Sequence, residues 1–298
     1  MTKQRTYAPV KPARSYEGQI ERLIREHGLI ISDGKKAREI LSTVNYYRLT
    51  TYGKHLRRAD DPERFRDGVS LDTLYALYQF DMGLRHAILP VLEFFEIQLR
   101  AKIAYHLAIT YGSLGYTRSD NFRGDRQSQG WFKDVHNKFR TEVRRCNDLA
   151  FVRHHKNKYG GKFPVWAAVE LFSFGMLGQL FAIMREADQA AVAGEYGMDA
   201  AQLSALISAA IDVRNICAHY NRLYNQTIED QPQLDADQKV YENDRVFPTL
   251  LALRAVAGRE RIWAEMTQSI ARLCQEFPQA DLSLCGFPEN WKDVLNKA

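Results

Sequence analysis

Arg214, Asn215 and His219 fall together in the run RNICAHYNRLYN at 214–225. Histidine titrates near neutrality and can therefore give or take a proton. Arginine stays charged and meets a phosphate with two parallel hydrogen bonds. An asparagine amide can orient an imidazole or donate to a phosphate oxygen. These residue types suit cleavage of an RNA strand by attack of a ribose 2′-OH on the neighbouring phosphate. That reaction needs a base for the hydroxyl, an acid for the leaving 5′-oxygen and positive charge at the crowded phosphate, with no metal and no cofactor. One histidine cannot be acid and base in the same concerted step, but a two-fold homodimer brings a second His219 beside the first.

The residues need a helix to hold them. Asp199 reads as the N-cap of a helix that turns Leu203, Leu206, Ile207, Ala210, Val213 and Cys217 towards a core. Asn215 and His219, four apart, share one face. Arg214 lies about 140° around from His219, so only its length brings it to the same patch. The plainer reading is a solvated helix end whose cations complement the dipole.

The remaining pattern is helical throughout. A helix is expected from Tyr16 to His27, capped by Ser15 and stopped by Gly28, with a short one from Asp33 to Leu41. NYYRLTTYGKHL at 45–56 has no clear period, and Arg57–Ser70 reads as a loop. An amphipathic helix follows over Leu71–Arg85. A second, over Ile88–Tyr111 and closed by Gly112, carries one stripe of Glu93, Glu96 and Arg100 and another of Gln98, Lys102 and His106. Tyr116–Gly130 reads as a loop, Trp131–Asp148 as a helix, and 165–185 as one apolar helix opened by Pro164. Then come a small helix over Ala187–Tyr196 and the helix after Asp199. A polar linker or long loop covers 226–245, and a helical pair follows at 247–257 and 259–276. No segment alternates like a strand. The fold class is all-α. The organisation is an N-terminal segment at 1–70, a core at 71–225, the connection at 226–245 and a C-terminal segment at 246–298.

Composition narrows the setting. The 298 residues carry a formal charge of +5, mildly basic and compatible with an anionic partner. The four cysteines form no C-x-x-C pair, which fits reduced thiols in the cytoplasm. The basic residues 1–14 are not followed by the apolar stretch of a secretory signal. WAAVELFSFGMLGQLFAIM at 166–184 has the length of a membrane span, but Glu170 inside it favours a buried core helix and no membrane association.

Arg-Asn-x-x-x-His followed by Tyr220, Arg222, Leu223 and Asn225 resembles the signature of HEPN domains in the Abi family of AbiD/AbiF-like abortive infection proteins. NYYRL at 45–49 with Tyr52, FEIQLRAKIAY at 95–105 and KYGGKFPVWAAVELFSFGMLGQL at 158–180 resemble further blocks of that family in the same order. KPARSYEGQIERLIREHGLII at 11–31 resembles its amino-terminal segment, so the resemblance spans residues 11–225. It implies a HEPN-type helical bundle with N- and C-terminal extensions and a metal-independent ribonuclease site shared across a homodimer. It also implies a toxin role in defence against phage, with an RNA or protein antitoxin as partner. Arg214 and His219 take the catalytic places by this carry-over, and Asn215 the polar place beside the arginine. Tyr220, Arg222, Asn225 and Glu170 are supporting or RNA-binding candidates. Some HEPN toxins carry a modifiable tyrosine two residues after the histidine; Asn221 stands there in this chain. The competing function is a non-catalytic RNA-binding or interaction module on the same fold.

Other residues are weighed the same way. Trp166, Phe172 and Phe174 read as core, and Gly175 and Gly178 as sites of close helix approach. Glu170, among apolar neighbours, requires a cation: either a structural ion pair or Arg214 itself. Glu96 and Arg100 read as an intrahelical pair. The basic run Arg153, His154, His155, Lys156 and Lys158 is either solvated or a phosphate grip, and Tyr46, Tyr47 and Tyr52 either pack or stack on bases.

Overall fold

The computed structural model describes residues 12–296, so the expectations for residues 1–11 lie outside the described residues. Among those described there are thirteen α-helices and no strand, apart from isolated bridges between Ile30 and Ser70 and between Arg57 and Phe65. The all-α fold class read from the sequence is the one observed. The chain divides into two compact units, Met1–Asp81 with Phe277–Ala280 and Met82–Glu276 with Asp281–Ala298.

In the first unit, α1 (Tyr16–Arg25) begins at Ser15, whose hydroxyl accepts from the Gly18 N–H. The carboxylate of Asp33 caps α2 (Gly34–Thr43) through the Lys35 and Lys36 N–H groups. The aromatic stretch that had no clear period forms α3 (Tyr46–Tyr52), capped by Asn45. Gly53 ends it where a Cβ would run into Leu74 and Phe65. Leu23, Leu29, Ile40, Leu41, Leu49, Phe65 and Leu74 fill the core of this unit. Tyr52 is fully buried and donates its hydroxyl to Asp81 at 2.7 Å. Tyr52→Phe removes a hydrogen bond to a buried carboxylate, and a loss of about 1.5–3 kcal/mol is expected. A urea unfolding midpoint equal to wild type would show that Asp81 is satisfied without the phenol.

Two helices were expected over 71–111, but α4 runs unbroken from Leu71 to Tyr111 and stops at Gly112. Nothing between Arg85 and Ile88 breaks a helix, and Pro90 removes only one backbone hydrogen bond. The second unit continues with α5 (Arg126–Arg145), capped by Asp125 five residues before the expected start, and α6 (Ala150–Tyr159). The apolar run is not one helix. It divides into α7 (Val165–Ala168), a 3₁₀ turn at Val169–Leu171 and α8 (Phe174–Ile183). Phe172 is extended, and the Ser173 hydroxyl restarts the helix by accepting from the Met176 N–H at 3.2 Å. No helix of the described residues is long and apolar enough to cross a membrane. Phe172 and Phe174 are buried as expected; Trp166 is 56% exposed and belongs to no core.

Next come α9 (Glu186–Gly194) and α10 (Ala200–Ala218). Asp199 and Gln202 close a reciprocal capping box on α10, and its six expected core positions are all buried. Gly178 lets α8 and α10 approach closely, since a Cβ there would lie 2.8 Å from Ile211 Cδ1. Gly175 meets no such neighbour. Residues 226–245 hold no α-helix; the Ile228 N–H donates to the Asp244 carbonyl, and Ile228 and Leu234 are buried. The expected C-terminal pair is α11 (Phe247–Ala257) and α12 (Arg261–Glu276). Trp263 and Arg254 bind the Leu295 and Val294 carbonyls of α13 (Trp291–Asn296).

Candidate active site

The end of α10 is shaped by its termination. His219 is the C-cap residue, and its N–H donates to the Asn215 carbonyl at 3.0 Å. The Tyr220 N–H then reaches Cys217 and the Asn221 N–H reaches Ile216, the paired bonds of a Schellman motif. That motif needs a left-handed residue, and Tyr220 supplies it at φ 58°, where glycine is the usual occupant. The turn leaves the His219 and Tyr220 side chains exposed. Asn225 is a second left-handed residue, at φ 52°. Arg222 stabilises the strand of chain between them: its guanidinium donates to the Tyr224 and Asn225 carbonyls at 2.9 and 3.2 Å, and to Gln226 Oε1. Those bonds give Arg222 a structural task.

Arg214 points the other way, into the bundle. Its Nη2 lies 3.2 Å from Glu96 Oε2, and its guanidinium sits 5.4 Å from the centre of the Phe174 ring. Glu96 Oε1 accepts from Arg100 Nη2 at 2.9 Å, the intrahelical pair expected from the spacing. One carboxylate thus bridges two guanidiniums, and the three side chains are only 18%, 13% and 21% exposed for Glu96, Arg100 and Arg214. Arg100 also donates to the Val169 and Phe172 carbonyls, the groups released where the helix breaks between α7 and α8. The break and the arginine therefore depend on each other. Arg214 Nε is buried without a hydrogen-bond partner among the described residues.

Glu170 does not take the role weighed for it. It is exposed in the 3₁₀ turn and makes no ion pair among the described residues, whereas Glu96 supplies the carboxylate that orients Arg214. Glu96 was legible only as half of a local pair, because its third member stands far along the chain. The second stripe of α4 has a different use. Asp188 is buried and takes hydrogen bonds from His106 at 2.8 Å and Tyr111 at 2.6 Å, while Lys102 pairs with Glu195 at 2.7 Å. Burial and then Asp188 push the Tyr111 phenol above its ordinary pKa, and Lys102 holds the Glu195 carboxyl below the usual range. These bonds fasten α9 to α4.

Within one chain no hydrogen bond or ion pair joins Arg214 to His219 among the described residues, and Asn215, half-buried, lies between them on α10. A cation anchored in the bundle and an imidazole free at the surface can act on one phosphate only if that phosphate lies over the end of α10. A family model described as Abi-like protein matches residues 39–225, well over half of the chain and ending with the loop that Arg222 holds. The chain belongs to this family. Abi-like proteins are associated with abortive infection, a form of defence against phage. The family match begins inside α2, so the amino-terminal block at 11–31 lies outside it. No curated protein and no solved structure matches the chain.

Proposed function

We propose that this Abi-like protein is a metal-independent endoribonuclease of HEPN type, acting as a toxin that halts growth after phage infection. The observation that carries the reading is the end of α10, where an exposed His219 follows an Arg214 fixed by Glu96, inside the segment shared with the family. In the reaction the 2′-oxygen loses its proton to a base and bonds to phosphorus. The P–O5′ bond breaks, and an acid delivers a proton to the 5′-oxygen, leaving a 2′,3′-cyclic phosphate. His219 of each subunit of a homodimer supplies one of these roles. Arg214 binds the phosphate oxygens on which charge accumulates, and Asn215 orients the imidazole.

A subunit interface beside the site is supported by α4. Ile97, Ala101, Tyr105 and Ile109 recur every four residues on one face of that helix, and all are exposed. The stripe starts at the residue after Glu96 and runs for about three turns, the kind of apolar face that a second copy covers.

The experiment is incubation of purified protein with single-stranded RNA in EDTA. Products ending in 2′,3′-cyclic phosphate are expected; RNA that stays intact with and without added metal would overturn the nuclease reading. The second reading, a non-catalytic RNA-binding or regulatory module, is favoured by one observation: Arg214 already has an anion in Glu96. Under it RNA binds and is never cut. An RNA or protein antitoxin belongs to the same proposal, as the factor that keeps such a toxin silent.

A further inference from the structure

We infer that the cleft between α5 and the Gly161–Phe163 segment is a docking site for single-stranded RNA, built apart from Arg214 and His219. The inference rests on the proposed RNA substrate and adds to it the surface that would hold the strand. Residues 118–162 contain twelve Lys and Arg against five Asp and Glu, a net charge of +7 in a chain whose total is +5. The basic character of the protein therefore resides in this one helical hairpin.

The cleft there has a volume of about 630 Å³ and is edged by Lys133, Arg140 and Lys162, all exposed. None of the three forms an ion pair among the described residues. Its wall is aromatic. The Phe132 and His136 rings are 4.2 Å apart, His136 stacks on Tyr116 at 5.9 Å, and Phe139 meets Phe163 at 5.6 Å. Burial holds the His136 imidazole below its ordinary pKa, so near neutrality it presents an uncharged ring. Tyr116, Phe139 and Phe163 are buried behind the wall, while Phe132 and His136 stay partly exposed. These two rings beside three cations suit a strand whose phosphates alternate with bases, and ring stacking accepts any base. An acidic protein surface would use the cations but not the partly exposed Phe132 and His136 rings.

The basic run at 153–158 divides accordingly. His155 stacks on Phe163 at 4.9 Å and Lys156 binds Asn147 at 2.6 Å, so both hold the hairpin together. Arg153, His154 and Lys158 stay exposed and extend the charged surface. Phe163 lines the cleft, and nine residues later the carbonyl of Phe172 binds Arg100, so one short segment connects the cleft to the Glu96 cluster.

The test uses full-length His219→Ala protein, fluorescence anisotropy and a labelled single-stranded oligoribonucleotide in EDTA, repeated over a range of salt. Adding Lys133→Glu with Lys162→Glu is expected to weaken binding roughly tenfold and to flatten the log–log salt dependence by about 1.4, two phosphates' worth on a single strand. Adding Phe132→Leu, which keeps an apolar side chain, is expected to weaken binding about fivefold or more with the salt slope unchanged. Thermal melts check that both variants fold. Affinity and slope equal to the parent in both variants would overturn the cleft even where wild type cuts RNA, and so would a parent that binds no RNA. RNA that binds through the cleft yet is never cut by wild type leaves this inference standing and removes the nuclease reading.

Discussion

Replacing His219 with alanine is expected to slow RNA cleavage roughly 10²–10⁴-fold, the usual contribution of a positioned acid or base. The fold should not change. The side chain is exposed, and the hydrogen bond at the helix end comes from the backbone N–H, which alanine keeps. Loss of cleavage with an unaltered melting curve would therefore report on chemistry. Growth of cells induced to express wild type beside the variant gives the same comparison in vivo: arrest and degraded RNA with wild type, and neither with His219→Ala. Equal cleavage by both proteins would remove the imidazole from the mechanism and leave the Arg214 cluster as a structural ion network.

The helical class and most helix starts were legible because they are local. Ser15, Asp33 and Asp199 each stand one residue before a helix and accept from N–H groups two or three residues on, an arrangement that composition and spacing disclose. What was misjudged depended on partners elsewhere in the chain. The run from Val165 to Ile183 has the composition of a continuous apolar helix, yet Phe172 is extended and Arg100 of α4 takes the carbonyls that the break leaves open. Trp166 has the chemistry of a core residue and lies exposed in the helix before that break. The Arg-Asn-x-x-x-His run could be read directly, but not the direction in which its arginine points. Glu170 reads in the sequence as half of a structural ion pair or as the acid beside Arg214, and the fold instead brings Glu96 to Arg214.

That division has a physical consequence for the site. Arg214 and His219 sit on the same helix with opposite degrees of freedom: one guanidinium is held by a carboxylate and a ring, and one imidazole stands at a turn in water. Fixing the arginine in advance lowers the ordering cost when phosphate arrives, at the expense of competing with Glu96 for the same donors.

Glu96→Gln therefore carries the largest expected effect on stability. In wild type the two carboxylate oxygens are divided between Arg100 at 2.9 Å and Arg214 at 3.2 Å. Glutamine keeps the shape and removes the anion, which leaves two mostly buried guanidiniums facing each other. Breaking a buried ion pair from one side costs about 3–5 kcal/mol, and with roughly a fifth of each side chain exposed to water a value of about 2–4 kcal/mol is expected. Arg100 retains the Val169 and Phe172 carbonyls, so Arg214 should be the more displaced of the two. The variant should then gain more thermal stability than wild type from added phosphate or from non-cleavable RNA, because an anion approaching the two guanidiniums no longer competes with the Glu96 carboxylate. Urea unfolding and melting with and without ligand measure both effects. An unfolding midpoint within error of wild type would mean that solvent already compensates the two cations, and Glu96 would lose its role in positioning Arg214. A destabilised variant that no phosphate rescues would place that role wholly in the fold, with Arg214 unavailable to a phosphate and the second, non-catalytic reading the stronger one.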